Sequence, residues 1–373
     1  MNILILNWRD PKNPRSGGAE VITYKYAKYW TSRGHHVFWV SNYFSGAKLI
    51  SYEPNLTIFR IRPELGYTVK GLILSYPLFL RNATGKAIQI MKENRIDLVV
   101  DEIHGLPFFT PFYSRPRHVL LVCEVAGPIW DKMFPFPISK IGKLLEKIIY
   151  ILYQNTETWA ISQNSQKDIF NLNHNKNIKI LPLGIDPSPI SSKPKFPYPS
   201  AVFLGRLVRM KGIESAIYAA GRISYEFPKF KLYVAGAGSE EYLNFLKSKA
   251  KEIKARNSVI FCGYLSDAQK KQLLAKSHFL IHPSFKEGFG LTILEAASVG
   301  TPAIARKGSS LDELVKDRVT GFLFTKDSDI SACFKAGMLK SNYAALQSTA
   351  VLNSRRYFWD AVLKKSGSIT GIK

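Results

Sequence analysis

Short apolar runs, glycine- and proline-rich loops and stretches of helical period alternate along this chain. The runs Asn2–Leu6, His36–Ser41, Asp97–Val100, His118–Val122 and Thr158–Ile161 are the length of strands. Between the first two lie a loop, Arg9–Gly18, and a periodic helix, Ala19–Arg33, stopped by Gly34. The span Asn177–Tyr198 is rich in Pro, Ser and Lys and reads as a linker. The pattern then restarts with Ala201–Leu204, a helix from about Gly212, and runs at Lys231–Ala235, Ser258–Cys262, Phe279–Ile281 and Pro302–Ala305. Strand and helix alternating in this way predict a parallel sheet in each half. The expected class is α/β: two Rossmann-like doubly wound parallel-sheet domains facing a cleft, residues 1–182 and 183–354. Ligands in such folds bind at the C-terminal ends of the strands.

A length of 373 residues suits two domains of roughly 150 residues or more. The 52 Lys and Arg against 28 Asp and Glu give a net charge of +24, a field that favours nucleotides, anionic lipid surfaces or nucleic acid without choosing among them. Cys123, Cys262 and Cys333 are widely spaced and form no CxxC pair, so neither a disulfide framework nor a thiolate metal site is expected. The opening run is too short for a signal peptide and lacks a basic region before it. No long uncharged apolar window predicts a membrane span. A cytoplasmic location is expected, at the inner face of the membrane if the chain binds lipid. Two mixed aromatic and basic stretches, residues 65–91 and 130–153, are suited to an anionic membrane surface or, equally, to helices with a buried apolar face and a solvated basic one.

The densest chemistry lies in Glu287-Gly288-Phe289-Gly290-Leu291, which follows the apolar run His278–His282 and opens a periodic helix carrying Glu295 and closed by Gly300 and Pro302. A strand, a glycine loop and a helix N-terminus offer N–H donors and a dipole to phosphate, and the two carboxylates offer acceptors to sugar hydroxyls. Gly205-Arg206 to Lys211-Gly212 also joins a strand to a helix. Arg206 can grip phosphate bidentately, and Lys211 adds a point charge. Ser16-Gly17-Gly18-Ala19-Glu20 is either a plain turn or a place for a ligand to approach the backbone. His104 stands just past a predicted strand end, where site residues gather, while His278 and His282 read as structural. No Walker, HExxH, GxSxG or Cys/His motif is present, and no DxD pair suggests a metal-held diphosphate.

With these motifs assembled, the chain resembles the family-four glycosyltransferases (group 1) of the GT-B fold over nearly its whole length. The resemblance rests on Ser16 to Glu20, His104, Trp159 to Ser162, Gly205-Arg206 with Lys211-Gly212, and Glu287 to Glu295 as the family's Glu-x7-Glu signature. Leu183 stands where the family has Asn, and the chain after Gly321 is short. Phe358-Trp359 resembles the segment that crosses back, so residues 355–373 are expected to rejoin the first domain.

The resemblance implies that Arg206 and Lys211 hold the donor diphosphate and that Glu295 binds the ribose. Glu287, with the N–H groups of Phe289 and Gly290, holds the hexose, and Gly288 and Leu291 complete the donor-binding loop. Gly17 and Gly18 present backbone to the distal phosphate or the acceptor, and His104 contacts the sugar near its reacting carbon. His104, Glu287, Arg206 and Lys211 are then the catalytic set. It further implies a retaining, metal-independent hexosyltransferase without cofactor, closing its domains on a nucleotide-diphosphate sugar, UDP rather than GDP. The acceptor is expected to be lipid-linked or a glycan of the cell envelope. A sugar-nucleotide epimerase of the same fold, or a basic membrane- or nucleic-acid-binding protein with a vestigial site, are the competing readings. The intact set of Arg206, Lys211, Glu287 and Glu295 argues against both, and nucleic acid is not an expected partner.

Overall fold

The computed structural model describes residues 1–66, 69–103, 106–187 and 194–372. The chain forms two compact units, one of Met1–Gly127, Lys140–Leu183 and Leu363–Lys373, the other of Pro128–Ser139 and Gly184–Val362. The changeovers therefore fall after Leu183 and Val362, not at 182 and 354. The short segment Pro128–Ser139 counts with the second unit, which the sequence reading did not anticipate.

The first unit holds eight strands: β1 (Asn2–Leu6), β2 (His36–Asn42), β3 (Ile50–Glu53), β4 (Leu56–Ile61), β5 (Leu98–Ile103), β6 (Arg117–Val122), β7 (Glu157–Ala160) and β8 (Ile178–Ile180). They lie in the order β3-β4-β2-β1-β5-β6-β7-β8, and every pairing is parallel except β3 with β4. Ile3 to Leu6 are wholly buried, which fits a parallel sheet covered on both faces.

Three of these strands were not expected. In β4 buried and half-buried residues alternate, and Arg60 interrupts the apolar run. Strand β3 is a half-exposed edge, and β8 sits inside the span read as a linker.

The second unit holds β9 (Ser200–Leu204), β10 (Lys231–Ala235), β11 (Val259–Gly263), β12 (Phe279–His282), β13 (Ala303–Arg306) and β14 (Gly321–Phe324). Their order is β11-β10-β9-β12-β13-β14, all parallel. Phe203, Phe230, Phe279, Phe324 and Phe334 fill its core. The helices are, in chain order, α1 (Gly18–Ser32), α2 (Val69–Glu93), α3 (Ile129–Met133), α4 (Ile138–Leu152), α5 (Gln163–Asn173), α6 (Ile213–Glu226), α7 (Glu240–Glu252), α8 (Asp267–Lys276), α9 (Leu291–Ser298), α10 (Leu311–Leu314), α11 (Asp329–Met338), α12 (Lys340–Ser354) and α13 (Trp359–Thr370). Helix α13 returns the chain to the first unit, and its start is pinned by the Ile185 N–H donating to Tyr357 O at 2.7 Å.

Strand order reverses between β1 and β5 in the first sheet and between β9 and β12 in the second. Connections leave such a reversal on opposite faces of the sheet and open a crevice at the strands' C-terminal ends. The segments that emerge there are the Gly17 loop after β1, the Arg206 turn after β9 and the Glu287 loop after β12.

Candidate functional site

In the second unit, the turn after β9 and the loop after β12 are built against each other. The chain passes from Arg206 through a short 3-10 turn, Arg209–Lys211, to Gly212 and α6. Gly212 has φ +66°, and a Cβ there would sit 2.3 Å from Pro283 O, so the turn lies directly on the end of β12. Phe285 N–H donates to Met210 O at 3.0 Å, and Ser284 Oγ reaches Lys286 O at 3.0 Å. From the other side Ser310 Oγ donates to Glu287 O at 2.7 Å and Phe289 O at 3.1 Å. The loop is thus fixed by backbone and hydroxyl bonds before any ligand arrives.

That packing brings Lys211 Nζ to 2.5 Å and His282 Nε2 to 3.0 Å from Glu287, both on Oε1. Oε2 has no hydrogen-bond partner among the described residues. Burial pushes the Glu287 carboxyl upward, but the His282 bond and the Lys211 charge outweigh it and hold the group well below the usual carboxylate range. Glu287 is therefore ionised at neutral pH: a largely buried acceptor with one oxygen held by two donors and the other uncommitted among the described residues. The imidazole of His282 donates through Nε2, and its Nδ1 is buried without a partner among the described residues. Reading His282 as merely structural was wrong in one respect, since it touches the carboxylate at the centre of the site.

Gly290 (φ +102°) caps α9 without a side-chain bond, and Leu291 is the first helical residue. Ile293 N–H bonds back to Gly290 O at 2.9 Å, which leaves the N–H groups of Leu291 and Thr292 as the helix's free first-turn donors for an anion. Glu295 lies in the second turn, where Lys270 Nζ of α8 reaches its Oε1 at 3.0 Å and Asp267 at 3.2 Å. Burial lowers the Lys270 ammonium's pKa, and the Glu295 charge and bond more than reverse this, so the ammonium's pKa ends above its usual value. Arg206 is exposed and has no ion-pair partner among the described residues. Two carboxylates with matched cations and one uncommitted guanidinium can hold a molecule that carries both phosphate and hydroxyls.

In the first unit the loop after β1 rests on a buried ion pair, Arg60 Nε to Asp10 Oδ2 at 2.7 Å and Nη2 to Oδ1 at 3.0 Å. Asp10 also takes the Lys12 N–H, and Ser16 Oγ donates to its carbonyl. Glu102 at the end of β5 accepts from Asn7 Nδ2 and Thr23 Oγ1, which ties β1 to α1. Gly17 N–H is already committed to Glu20 Oε2 at 2.7 Å. The loop thus offers a ligand the first-turn N–H of Gly18, not that of Gly17. The other expected residue of this unit, His104, lies outside the described residues.

Sequence profiles place these features in a family. The profile described as Glycosyltransferase Family 4 matches residues 16–189, and that described as Glycosyl transferases group 1 matches residues 188–336. An uncharacterized glycosyltransferase of Methanocaldococcus jannaschii is 26% identical, covering 99% of this chain and 97% of its own. Alpha-monoglucosyldiacylglycerol synthase of Streptococcus pneumoniae is 32% identical over 36% of this chain and 30% of its own.

Among solved structures, sucrose-phosphate synthase from Thermosynechococcus elongatus superposes with a TM-score of 0.80 at 15% identity, covering 99% of this chain and 98% of that one. Anabaena HepE in complex with UDP-glucose gives 0.74 at 20%, covering 100% and 99%. The fold is GT-B, and the protein is a glycosyltransferase. It belongs to the group 1 glycosyltransferases of family 4.

Proposed function

We propose that this chain is a retaining, metal-independent hexosyltransferase that moves a hexose from a UDP-sugar to a lipid-linked or glycan acceptor of the cell envelope, working at the inner face of a membrane. The observation that carries the reading is the reversal of strand order at β9 and β12, with Arg206 on one side of it and the Glu287–Glu295 loop and helix on the other. Arg206, Lys211 and the α9 N-terminus answer the charge that develops on a departing diphosphate, so a bound metal is not required. Glu287 Oε2 accepts from hexose hydroxyls and Glu295 from the ribose. Glu287 is fixed as an anion by His282 and Lys211, which suits an acceptor role. The leaving phosphate itself takes the acceptor's proton, and His104 is assigned beside the sugar by resemblance alone. HepE, solved with UDP-glucose, supports a uridine donor. The glycolipid synthase matched over 36% of this chain supports a lipid acceptor.

The test is transfer of labelled hexose from a panel of UDP-hexoses to diacylglycerol vesicles and to soluble oligosaccharides, with and without EDTA. The expected result is a labelled product with the donor's anomeric configuration, undiminished by EDTA and lowered about 100-fold or more in Lys211→Ala. A product of inverted configuration, activity abolished by EDTA, or no product with any donor would sink the reading.

A further inference from the structure

Helix α4 is a surface helix whose outward side is apolar. At 100° per residue Gly142, Ile149, Tyr150 and Tyr153 gather on one side, and that side is buried, the last three against Leu120, Val122 and Ala160. Ile141, Leu144, Leu145, Ile148, Ile151 and Leu152 gather on the opposite side, and all six are exposed, Leu144 at 59%. An ordinary surface helix carries charged or polar residues there. Here the charge is displaced to one flank, where Lys140, Lys143 and Lys147 form a row between the buried side and the apolar stripe. Just upstream, Phe136 is 80% exposed and Met133 is exposed as well.

We propose that α4 docks the protein on an anionic lipid surface, with the apolar stripe entering the interface and the lysine row meeting headgroup phosphates. This deepens the membrane reading above by naming the element, and it is independent of the donor chemistry. At 15 residues the helix is about 22 Å long, too short to cross a hydrocarbon core and suited to lying in its boundary. Charge complementarity decides between a bilayer and a second copy of the chain. The one acid of α4, Glu146, is spent inside the fold, accepting from the Ala126 and Gly127 N–H groups at 2.7 and 2.8 Å. Pairing two α4 faces would bring lysine rows together with no acidic row to meet them, whereas anionic headgroups supply that charge. The other candidate stretch, residues 65–91, is a weaker one: Tyr76 and Phe79 are buried in the core, and among its described large apolar side chains only Leu74 and Leu78 are exposed.

The experiment is vesicle co-sedimentation of the full chain on phosphatidylcholine with and without phosphatidylglycerol, with UDP binding and circular dichroism measured on the same samples. Binding is expected on the anionic vesicles and to weaken with salt. Leu144→Ser with Ile148→Ser should lower partitioning about tenfold or more while UDP binding and helicity stay unchanged. Replacing Lys140, Lys143 and Lys147 by Glu should remove the preference for anionic vesicles. Unchanged partitioning in the Leu144/Ile148 variant would overturn the assignment. So would a dimer of the parent in sedimentation velocity that the same double substitution dissolves, which would give the stripe to a second copy. Loss of UDP binding in the parent, with vesicle binding intact, would count against the donor reading and not against this one.

Discussion

Lys195 shows how a single charged side chain records its surroundings. Burial lowers its ammonium to a pKa of about 7, even though it donates to Ser277 O at 2.8 Å and to Thr301 Oγ1 at 2.7 Å. In the unfolded chain the same group titrates near 10.4. Between these values the unfolded state binds more protons, so this residue makes stability rise with pH from about 7 towards 10, by on the order of 4 kcal/mol over that interval. Urea unfolding at several pH values should show that rise in the parent and a flatter profile in Lys195→Met; equal slopes would contradict it. Glu287, Arg206, Lys211 and Glu295 could be picked out from sequence because each sits at a fixed offset from a strand end and a glycine. Their partners could not. Lys270 meets Glu295 from 25 residues away, and His282 was read as part of a strand, because pairing of this kind depends on how α8 and β12 dock.

At the scale of elements, the turn from Arg206 to Gly212 acts as one rigid piece because Gly212 lets it press on Pro283. Gly212→Val would place a β-branched residue at φ +66° against a carbonyl 2.3 Å from its Cβ. The left-handed conformation alone costs about 1–2 kcal/mol for a residue with a Cβ, and the clash adds to it. The expected outcome is a loss of at least ~2 kcal/mol in denaturant unfolding, together with weakened nucleotide binding as Lys211 moves off Glu287. Full stability and binding in this variant would show that the turn is not held as described. Strands with uninterrupted apolar runs were legible at this scale. β3, β4 and β8 were not, since edge exposure, Arg60 and a polar neighbourhood hide the period that marks a strand. The stretch 130–153 divides on inspection: its first part, with α3 set against the Arg209–Lys211 turn, packs with the second unit, and its second part, α4, belongs largely to the first.

At the scale of the molecule, doubly wound sheets and a net charge of +24 describe a chain built to receive anions. Sequence pattern marked the class of both sheets and a first changeover beside Leu183, but not the exact point of return, because Leu363 lies within helix α13 and carries no break in periodicity. Among the described residues no helix is long and apolar enough to cross a membrane.

In the proposed function the second unit holds a uridine-diphosphate sugar through Arg206 and Glu295. Isothermal titration of the full chain with UDP, GDP and ADP, repeated with Arg206→Ala and Glu295→Gln, tests it most directly. UDP should bind tightest, and each variant should weaken it by about tenfold or more, as loss of a charge-assisted bond requires. Equal affinity in parent and variants, or no heat with any nucleotide, would contradict it.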